Sequence, residues 1–401
     1  MAAVAQGAAK VPVLTLEEAL AAARALVPLL RERAAHAEEL RRTPDESVRE
    51  LEASGLMRAL QPRRVGGSEL DWVVLVDVSS ELARGCASTA WNWANWAVHH
   101  WMLALWPRPC QDDAWGADAS ALIASALMFP PGNATRVAGG YRLSGRWPFA
   151  SGVDQSAWNM IGGIVQGGGT GEMRLFMVPA TDYVVIDNWH AMGLRGTGSK
   201  DVEAKDIFVP EHRTLAVEQM KGGDVHPGAA ANPGAIYRIP CFAALPHMLT
   251  GIPLGIAQGA YDIFLEGMRG RVSRYSGKNL ADMTAVQMKI AEAGACIDAA
   301  RLVLRTHAIS AEAIARAGGV PDLVTKATWR RDGAFAAQLA GRAMDTIFSL
   351  AGASGLYDGH PLQRAFRDLH AANSHISMMW DAQATTFGRV ALGLPSDNPT
   401  L

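Results

Sequence analysis

The sequence predicts a mainly α-helical protein with a central β domain: an N-terminal helical domain, a middle β-barrel or β-sandwich, and a C-terminal four-helix bundle. Three regions with different residue patterns along the 401-residue sequence predict this fold class. Apolar residues recur at helical spacing in residues 15–106, short β-type runs bounded by turn residues fill residues 121–214, and long Ala-rich helical segments follow residue 253. The predicted domain boundaries are residues 1–120, 121–230 and 231–401.

The N-terminal region carries clear helix start signals. Thr15 and Glu18 have the spacing of a capping box, in which each side chain bonds the other residue's backbone amide. The stretch TPDE at residues 43–46 predicts a second capping box, with proline at the first helical position. Two further helices are predicted at residues 71–84 and 88–106.

The middle and C-terminal regions differ in the length of their apolar runs. Strands are predicted at residues 141–143, 157–165, 174–178, 183–187 and 202–209. Bundle helices are predicted at residues 253–271, 282–318, 321–352 and 362–392. Between the two regions, the Gly- and Pro-rich segment 221–240 is the only candidate for a mobile excursion.

Composition excludes several classes of function. The chain is 49% hydrophobic and carries a net charge of −2, so it has no electrostatic attraction to nucleic acid or to anionic lipid. The four cysteines are far apart and lack metal-ligand spacing, which predicts reduced thiols and no metal site. No apolar run has the length of a membrane span or the pattern of a signal peptide. We therefore expect a cytoplasmic protein.

Familiar cofactor and nucleophile motifs do not occur in the sequence. The glycines at 193, 196 and 198 follow no strand-to-helix junction, so they fail the dinucleotide fingerprint. No Walker loop, G-x-S-x-G elbow or H-E-x-x-H motif occurs. The chain therefore shows no nicotinamide site of its own.

Polar residues inside apolar helices are the remaining candidates for function. His99 and His100 lie in a segment that also carries Trp91 and Trp96, and a buried imidazole without a partner is costly. They are either satisfied core histidines or the border of a polar pocket lined by aromatic rings. His375 is likewise either a satisfied structural histidine or a polar group directed into a pocket. From the residues alone both interpretations stay open.

Four motifs together resemble one family. They are RGCASTAW at 84–91, GRWPFASG at 145–152, the stretch from NW at 188–189 to GTGS at 196–199, and FRD at 366–368 followed by His370 and His375. With the domain order, they are similar to the acyl-CoA dehydrogenase fold. Within it they resemble the two-component flavin-dependent monooxygenases of group D, such as the oxygenase component of 4-hydroxyphenylacetate 3-hydroxylase. The resemblance covers nearly the whole chain.

The resemblance implies roles for particular residues. The implied catalytic residues are Ser151, which bonds flavin N5, His375, which lies over the flavin, and His99, which binds the phenolic oxygen of the substrate. The implied flavin contacts are Trp91, Phe149, Ser151, Arg271, Gly352, Ala353 and Ser354. Arg271 would pair with the flavin phosphate, and the last three would come from a neighbouring subunit. The implied substrate contacts are Trp96, His99 and Ser125.

The carboxylate base of the acyl-CoA dehydrogenases is missing from both of its usual positions. One matches HISM at 375–378, and the other matches the region of Leu245. The resemblance therefore implies an oxygenase component that uses reduced FMN or FAD, delivered by a separate NAD(P)H:flavin reductase. With O₂ it would form a C4a-hydroperoxyflavin and hydroxylate a phenol or an indole. A homotetramer is implied as well. The alternatives are an N- or S-oxygenase on the same scaffold, an acyl-CoA dehydrogenase, and a flavin-free scaffold protein.

Overall fold

The computed structural model describes residues 11–166, 171–272 and 277–401, and its N-terminal part is helical. The helices are α1 (Leu16–Leu40), α2 (Asp45–Ala53), α3 (Val74–Ala83), α4 (Ala87–Leu103) and α5 (Arg108–Trp115). The capping box of Thr15 and Glu18 is confirmed. The second predicted box is wrong, because α2 begins at Asp45 without a side-chain cap. The hydroxyl of Thr43 instead accepts a hydrogen bond from Asn92 of α4.

Within the described residues, the middle region forms one mixed sheet of eight strands. They are β1 (Ile123–Ala126), β2 (Gly132–Val137), β3 (Gly140–Ala150), β4 (Trp158–Gln166), β5 (Glu172–Pro179), β6 (Val184–Ile186), β7 (Lys200–Pro210) and β8 (Thr214–Ala216). The strand order is β6-β7-β3-β2-β4-β5-β8, and β1 pairs in parallel with β4. All five predicted runs overlap strands. Trp147 and Phe176 lie in a hydrophobic core that belongs to this sheet.

The C-terminal region is a helical bundle that differs from its prediction in two places. Its helices are α6 (Cys241–Ala244), α7 (Pro246–Met268), α8 (Thr284–Arg316), α9 (Leu323–Ala351), α10 (Pro361–Asn373) and α11 (Trp380–Ala391). Helix α7 begins before the predicted position and contains Pro253. The single helix predicted at 362–392 is two helices, because residues 374–379 leave the helical ladder. There the imidazole of His375 accepts the backbone N–H of Ser377.

Glycine allows α7 to pack directly against α3. A Cβ atom on Gly255 would lie 2.1 Å from the carbonyl oxygen of Ser80, a distance that no side chain tolerates. Contrary to the prediction, one stretch, Cys241–Met268, which contains α6 and α7, is long and apolar enough to cross a membrane, yet 83% of its most apolar window is buried inside the protein. This stretch forms part of the core between the N-terminal helices and the bundle.

The segment 221–240, the candidate for a mobile excursion, is packed against the N-terminal helices. The indole N–H of Trp101 donates to the carbonyl of Ile236 at 2.8 Å, and the hydroxyl of Tyr237 donates to the carbonyl of Leu60 at 3.1 Å. Ile236 and Tyr237 are both buried. Composition misled the prediction, because the anchoring side chains are distant in sequence.

Candidate active site

Helix α4 carries several of the predicted site residues. All seventeen of its residues are buried, and it contacts α3, α7 and β1. The indole N–H of Trp91 donates to Oγ of Ser151 at 3.1 Å, and that of Trp96 donates to Oγ of Ser156 at 3.2 Å. Both serines follow β3. Two similar Trp-to-Ser bonds therefore fasten α4 to the β domain.

Ser151 begins a chain of hydroxyl groups. Its Oγ lies 2.7 Å from Oγ of Ser199, which lies 2.7 Å from Oγ1 of Thr197. The hydroxyl of Thr197 donates to the carbonyl of Leu194 at 2.8 Å. The turn after Ser151 is fixed by Gly152, which has a φ of +68° and donates its amide to the carbonyl of Thr197. The hydroxyl chain thus joins the end of β3 to the loop before β7.

His375 lies beside the ring of Trp91 and presents an N–H group. The two ring centroids are 5.6 Å apart, with the planes at 70°. Nδ1 accepts the backbone N–H of Ser377 at 3.2 Å, so the neutral ring carries its proton on Nε2. Burial, followed by the charge of Arg330, lowers the pKa of His375 to about 4. The ring is therefore neutral at pH 7.

His99 is fully buried and presents the opposite group. Its Nδ1 lies 2.6 Å from the carbonyl of Ile123, which can only accept, so Nδ1 carries the proton. Nε2 is left with a lone pair, and no described residue bonds to it. Burial lowers the pKa of His99 to about 4, although the bond to Ile123 raises it in part. Ser125 is two residues further along β1, on the same face as Ile123, and its hydroxyl has no hydrogen bond within the described residues.

Two predicted aromatic contacts have very different exposure. Phe149 is 60% exposed, and its ring meets that of Trp189 edge to face, with centroids 6.2 Å apart. The ring of Trp96 is fully buried, and a Cβ on Gly152 would lie 2.7 Å from it. Phe149 therefore offers a free aromatic face, whereas Trp96 lies one helical turn before His99 and is covered by the turn after β3.

The predicted phosphate-binding residues meet within one chain. Nη2 of Arg271, just after α7, donates to the carbonyl of Ala351 at 3.0 Å and to Oγ of Ser354 at 3.2 Å. Gly352 and Ala353 lie between those two acceptors, at the end of α9. Asn373 of α10 bonds the carbonyl of Ala337 at 3.0 Å, fourteen residues before the end of α9, which is about 20 Å along the helix. The cluster is therefore far from the end of α10 that leads to His375.

Sequence reasoning missed two residues that hold the loop carrying His375. Nε of Arg330 donates to Oε1 of Gln383 at 2.8 Å, and Nε2 of Gln383 donates to the carbonyl of Ile376 at 2.7 Å. Burial lowers the pKa of Arg330 to about 10. The local sequence WRRD gives no signal for burial, because α11 covers the arginine. Ser199 and Thr197 were also missed, although both lie in the motif GTGS at 196–199.

Comparison with known proteins identifies the family. The descriptions "Acyl-CoA dehydrogenase, N-terminal domain" and "Acyl-CoA dehydrogenase, C-terminal domain" match residues 17–118 and 248–380. The chain is 36% identical to the oxygenase subunit HsaA of a flavin-dependent monooxygenase from Rhodococcus jostii, over 92% of this chain and 97% of that protein. It is 30% identical to the oxygenase component of p-hydroxyphenylacetate 3-hydroxylase from Acinetobacter baumannii, over 94% and 89%. The chain belongs to the flavin-dependent monooxygenases of the acyl-CoA dehydrogenase fold.

A solved structure supports the same assignment. XiaF from Streptomyces sp., in complex with FADH2 and glycerol, has a TM-score of 0.90 and 27% identity, and the match covers 96% of this chain and 98% of that one. The predicted fold and family are confirmed, and so is the use of reduced flavin by an oxygenase component. The residues of this monooxygenase fit such a flavin: a buried hydroxyl at Ser151, held by Trp91, and an exposed aromatic residue at Phe149.

Proposed function

We propose that this monooxygenase hydroxylates a phenol-type aromatic substrate, using reduced FMN or FAD from a separate NAD(P)H:flavin reductase. The observation that carries the proposal is Nε2 of His99, a fully buried acceptor without a partner in the described structure. Leaving a buried polar atom unpaired costs about 1 to 3 kcal/mol, which a ligand that donates a hydrogen bond would recover. A phenolic O–H is such a donor.

His99 would activate the substrate as well as bind it. A neutral imidazole can share the phenolic proton, which raises the electron density of the aromatic ring. The carbonyl of Ile123 fixes the tautomer that this task requires. The hydroxyl of Ser125 would provide a second polar contact, and Trp96 would close the adjacent side.

Ser151, His375 and the aromatic residues would hold the flavin. When bound, reduced flavin supplies two electrons for the activation of O₂. The hydroxyl of Ser151 would bond N5, and Trp91 would fix that hydroxyl in place. His375 would present its Nε2–H over the ring, while Phe149 would cover an exposed edge. These side chains would exclude water and hold the N5 proton.

Product analysis tests the proposed reaction. Reduced FMN or FAD, O₂ and the purified protein would be incubated with a panel of phenols, indoles, thiophenes and amines. We expect ring hydroxylation of a phenol or an indole. Exclusive formation of a sulfoxide or an N-oxide would contradict it, as would failure to bind reduced flavin.

We also propose that a neighbouring subunit completes each flavin site. Arg271 and Ser354 are hydrogen-bonded to each other within one chain. They lie about 20 Å along α9 from the point where Asn373 contacts that helix. A neighbour that brings its Gly352–Ser354 junction to the phosphate would therefore bring its Arg271 too. This differs from the prediction only in that both groups come from the same neighbour.

An apolar stripe on α8 supports the predicted homotetramer. Met288, Leu302 and Ile309 are spaced by multiples of seven, which places them on one side of the helix, and they are 67%, 68% and 51% exposed. Burial of such a stripe against other subunits would stabilise an assembly. We expect light scattering at micromolar concentration to give about four times the chain mass of 42.7 kDa. A monomer mass would contradict this prediction. A cytoplasmic location stays a prediction.

A further inference from the structure

The hydroxyl chain at Ser151 has one consistent arrangement of its protons. At one end the indole N–H of Trp91 can only donate, and at the other the carbonyl of Leu194 can only accept. This hydroxyl chain contains four hydrogen-bond contacts. Its donors supply four protons, one each from Trp91, Ser151, Ser199 and Thr197. Each contact therefore takes one proton, and the direction of every bond is fixed.

That direction leaves Ser151 with a lone pair and no free proton. Thr197 donates to Leu194, so it accepts from Ser199, and Ser199 in turn accepts from Ser151. Ser151 accepts a hydrogen bond from Trp91 and donates its own proton to Ser199. Toward a ligand, the hydroxyl of Ser151 can only accept.

Burial keeps the hydrogen bonds of the hydroxyl chain in this direction. Thr197, Ser199 and Ser151 are 1%, 6% and 7% exposed, so bulk water has little access to them. Reversal would require breaking the bond to Leu194, whose carbonyl also accepts the indole N–H of Trp189 at 3.1 Å. In a buried network, each broken bond leaves an unpaired polar group, which is costly.

We propose that Ser199 and Thr197 are positioning residues that make the site prefer reduced over oxidised flavin. The inference rests on the proposed function, in which Ser151 meets N5. N5 of reduced flavin carries a hydrogen and donates, whereas N5 of oxidised flavin has only a lone pair. A hydroxyl that can only accept bonds the reduced form and faces the oxidised form with a second lone pair.

Anaerobic binding measurements test the inference. The dissociation constants of reduced and oxidised FMN would be measured for the parent protein, Ser199→Ala and Thr197→Val. In both variants the proton of Ser151 becomes free to turn toward N5. The ratio of the oxidised to the reduced constant should therefore fall about five- to tenfold, the effect of one hydrogen bond.

Two matched variants serve as controls. Ser156→Ala removes the acceptor of the similar bond from Trp96 and should leave the ratio unchanged. Thr197→Ser keeps the hydroxyl and should retain the parent ratio. Thr197→Val preserves the size of the side chain. If Ser199→Ala fails to fold, Thr197→Val tests the inference by itself.

The outcomes are separable. Ratios within twofold of the parent value in folded Ser199→Ala and Thr197→Val would overturn the inference. A parent protein that binds neither form of flavin would instead contradict the proposed function.

Discussion

Two neutral histidines present opposite hydrogen-bonding groups to the proposed site. His99 offers a bare nitrogen and His375 an N–H, and in each case a backbone group selects the tautomer. Trp91 and His99 are eight residues apart on α4, or about 12 Å along its axis. This separation fits the different tasks proposed for the two imidazoles, one toward the substrate and the other toward the flavin.

Truncation of His99 should separate substrate chemistry from oxygen chemistry. In His99→Ala, oxygen consumption with reduced flavin should stay near the parent rate, while product formation falls roughly 10²- to 10⁴-fold because proton sharing is lost. In His375→Ala, hydrogen peroxide release should rise instead. His100→Ala is the matched control, because His100 is equally buried and its Nε2 also lacks a partner among the described residues. Its Nδ1 accepts from Trp115, so its Nε2 carries the proton and cannot accept one from a substrate. Parent-level hydroxylation by folded His99→Ala would show that its proposed role is wrong.

The sequence was informative about single residues where a motif surrounds them. Ser151 was found through the motif GRWPFASG, whereas His99 lies outside the four motifs and stood out only as a histidine in a tryptophan-rich apolar segment. The structure gives each side chain a donor or acceptor state that no sequence pattern encodes. Arg330 could not be predicted, because its burial is created by α11, more than fifty residues away. Hydrogen-bond direction and long-range burial are properties of packing.

Among the elements, the contact between α7 and α3 depends on a missing side chain. We expect Gly255→Ala to lower the free energy of unfolding by about 1 to 3 kcal/mol, because its Cβ would overlap the carbonyl of Ser80. The control is Gly267→Ala on the same helix, where a Cβ meets nothing within 4 Å. That change should raise stability by about 0.5 to 1 kcal/mol. Equal effects in denaturant unfolding would contradict this account.

Element boundaries were predictable where the signal is local. The capping box of Thr15 marks the start of α1 correctly, because both partners lie within one turn. The box at Thr43 failed because Asn92 competes for the same hydroxyl. The break at residues 374–379 escaped prediction, since helical periodicity continues on both sides of it.

For the whole molecule, buried histidines make stability dependent on pH. Burial lowers the pKa values of His99 and His375 to about 4, and those of His100 and His247 to about 3, from an ordinary value of 6.5. Below pH 6.5 these histidines become protonated in the unfolded chain but stay neutral in the folded chain. The free energy of unfolding therefore falls as the pH falls. Asp368 acts in the opposite direction, because burial raises its pKa to about 6.

The net effect should be visible in denaturant unfolding. Between pH 6.5 and 5, each of the four histidines should cost up to about 2 kcal/mol, while Asp368 offsets part of this. The free energy of unfolding should therefore be constant above pH 7 and decline steadily below 6.5. A flat profile down to pH 5 would show that these histidines are protonated without penalty in the fold.

The separation between the Arg271 cluster and His375 implies that two inactive variants can complement each other, restoring activity when their chains assemble in one oligomer. If each site combines His99 of one chain with Arg271 of its neighbour, a mixed pair of His99→Ala and Arg271→Ala chains contains one site with both residues intact. Random reassembly makes half of the pairs mixed, so about a quarter of all sites should recover. Unfolding the two inactive variants together, refolding them and assaying hydroxylation measures this recovery. Sites built within a single chain would stay inactive in every mixture.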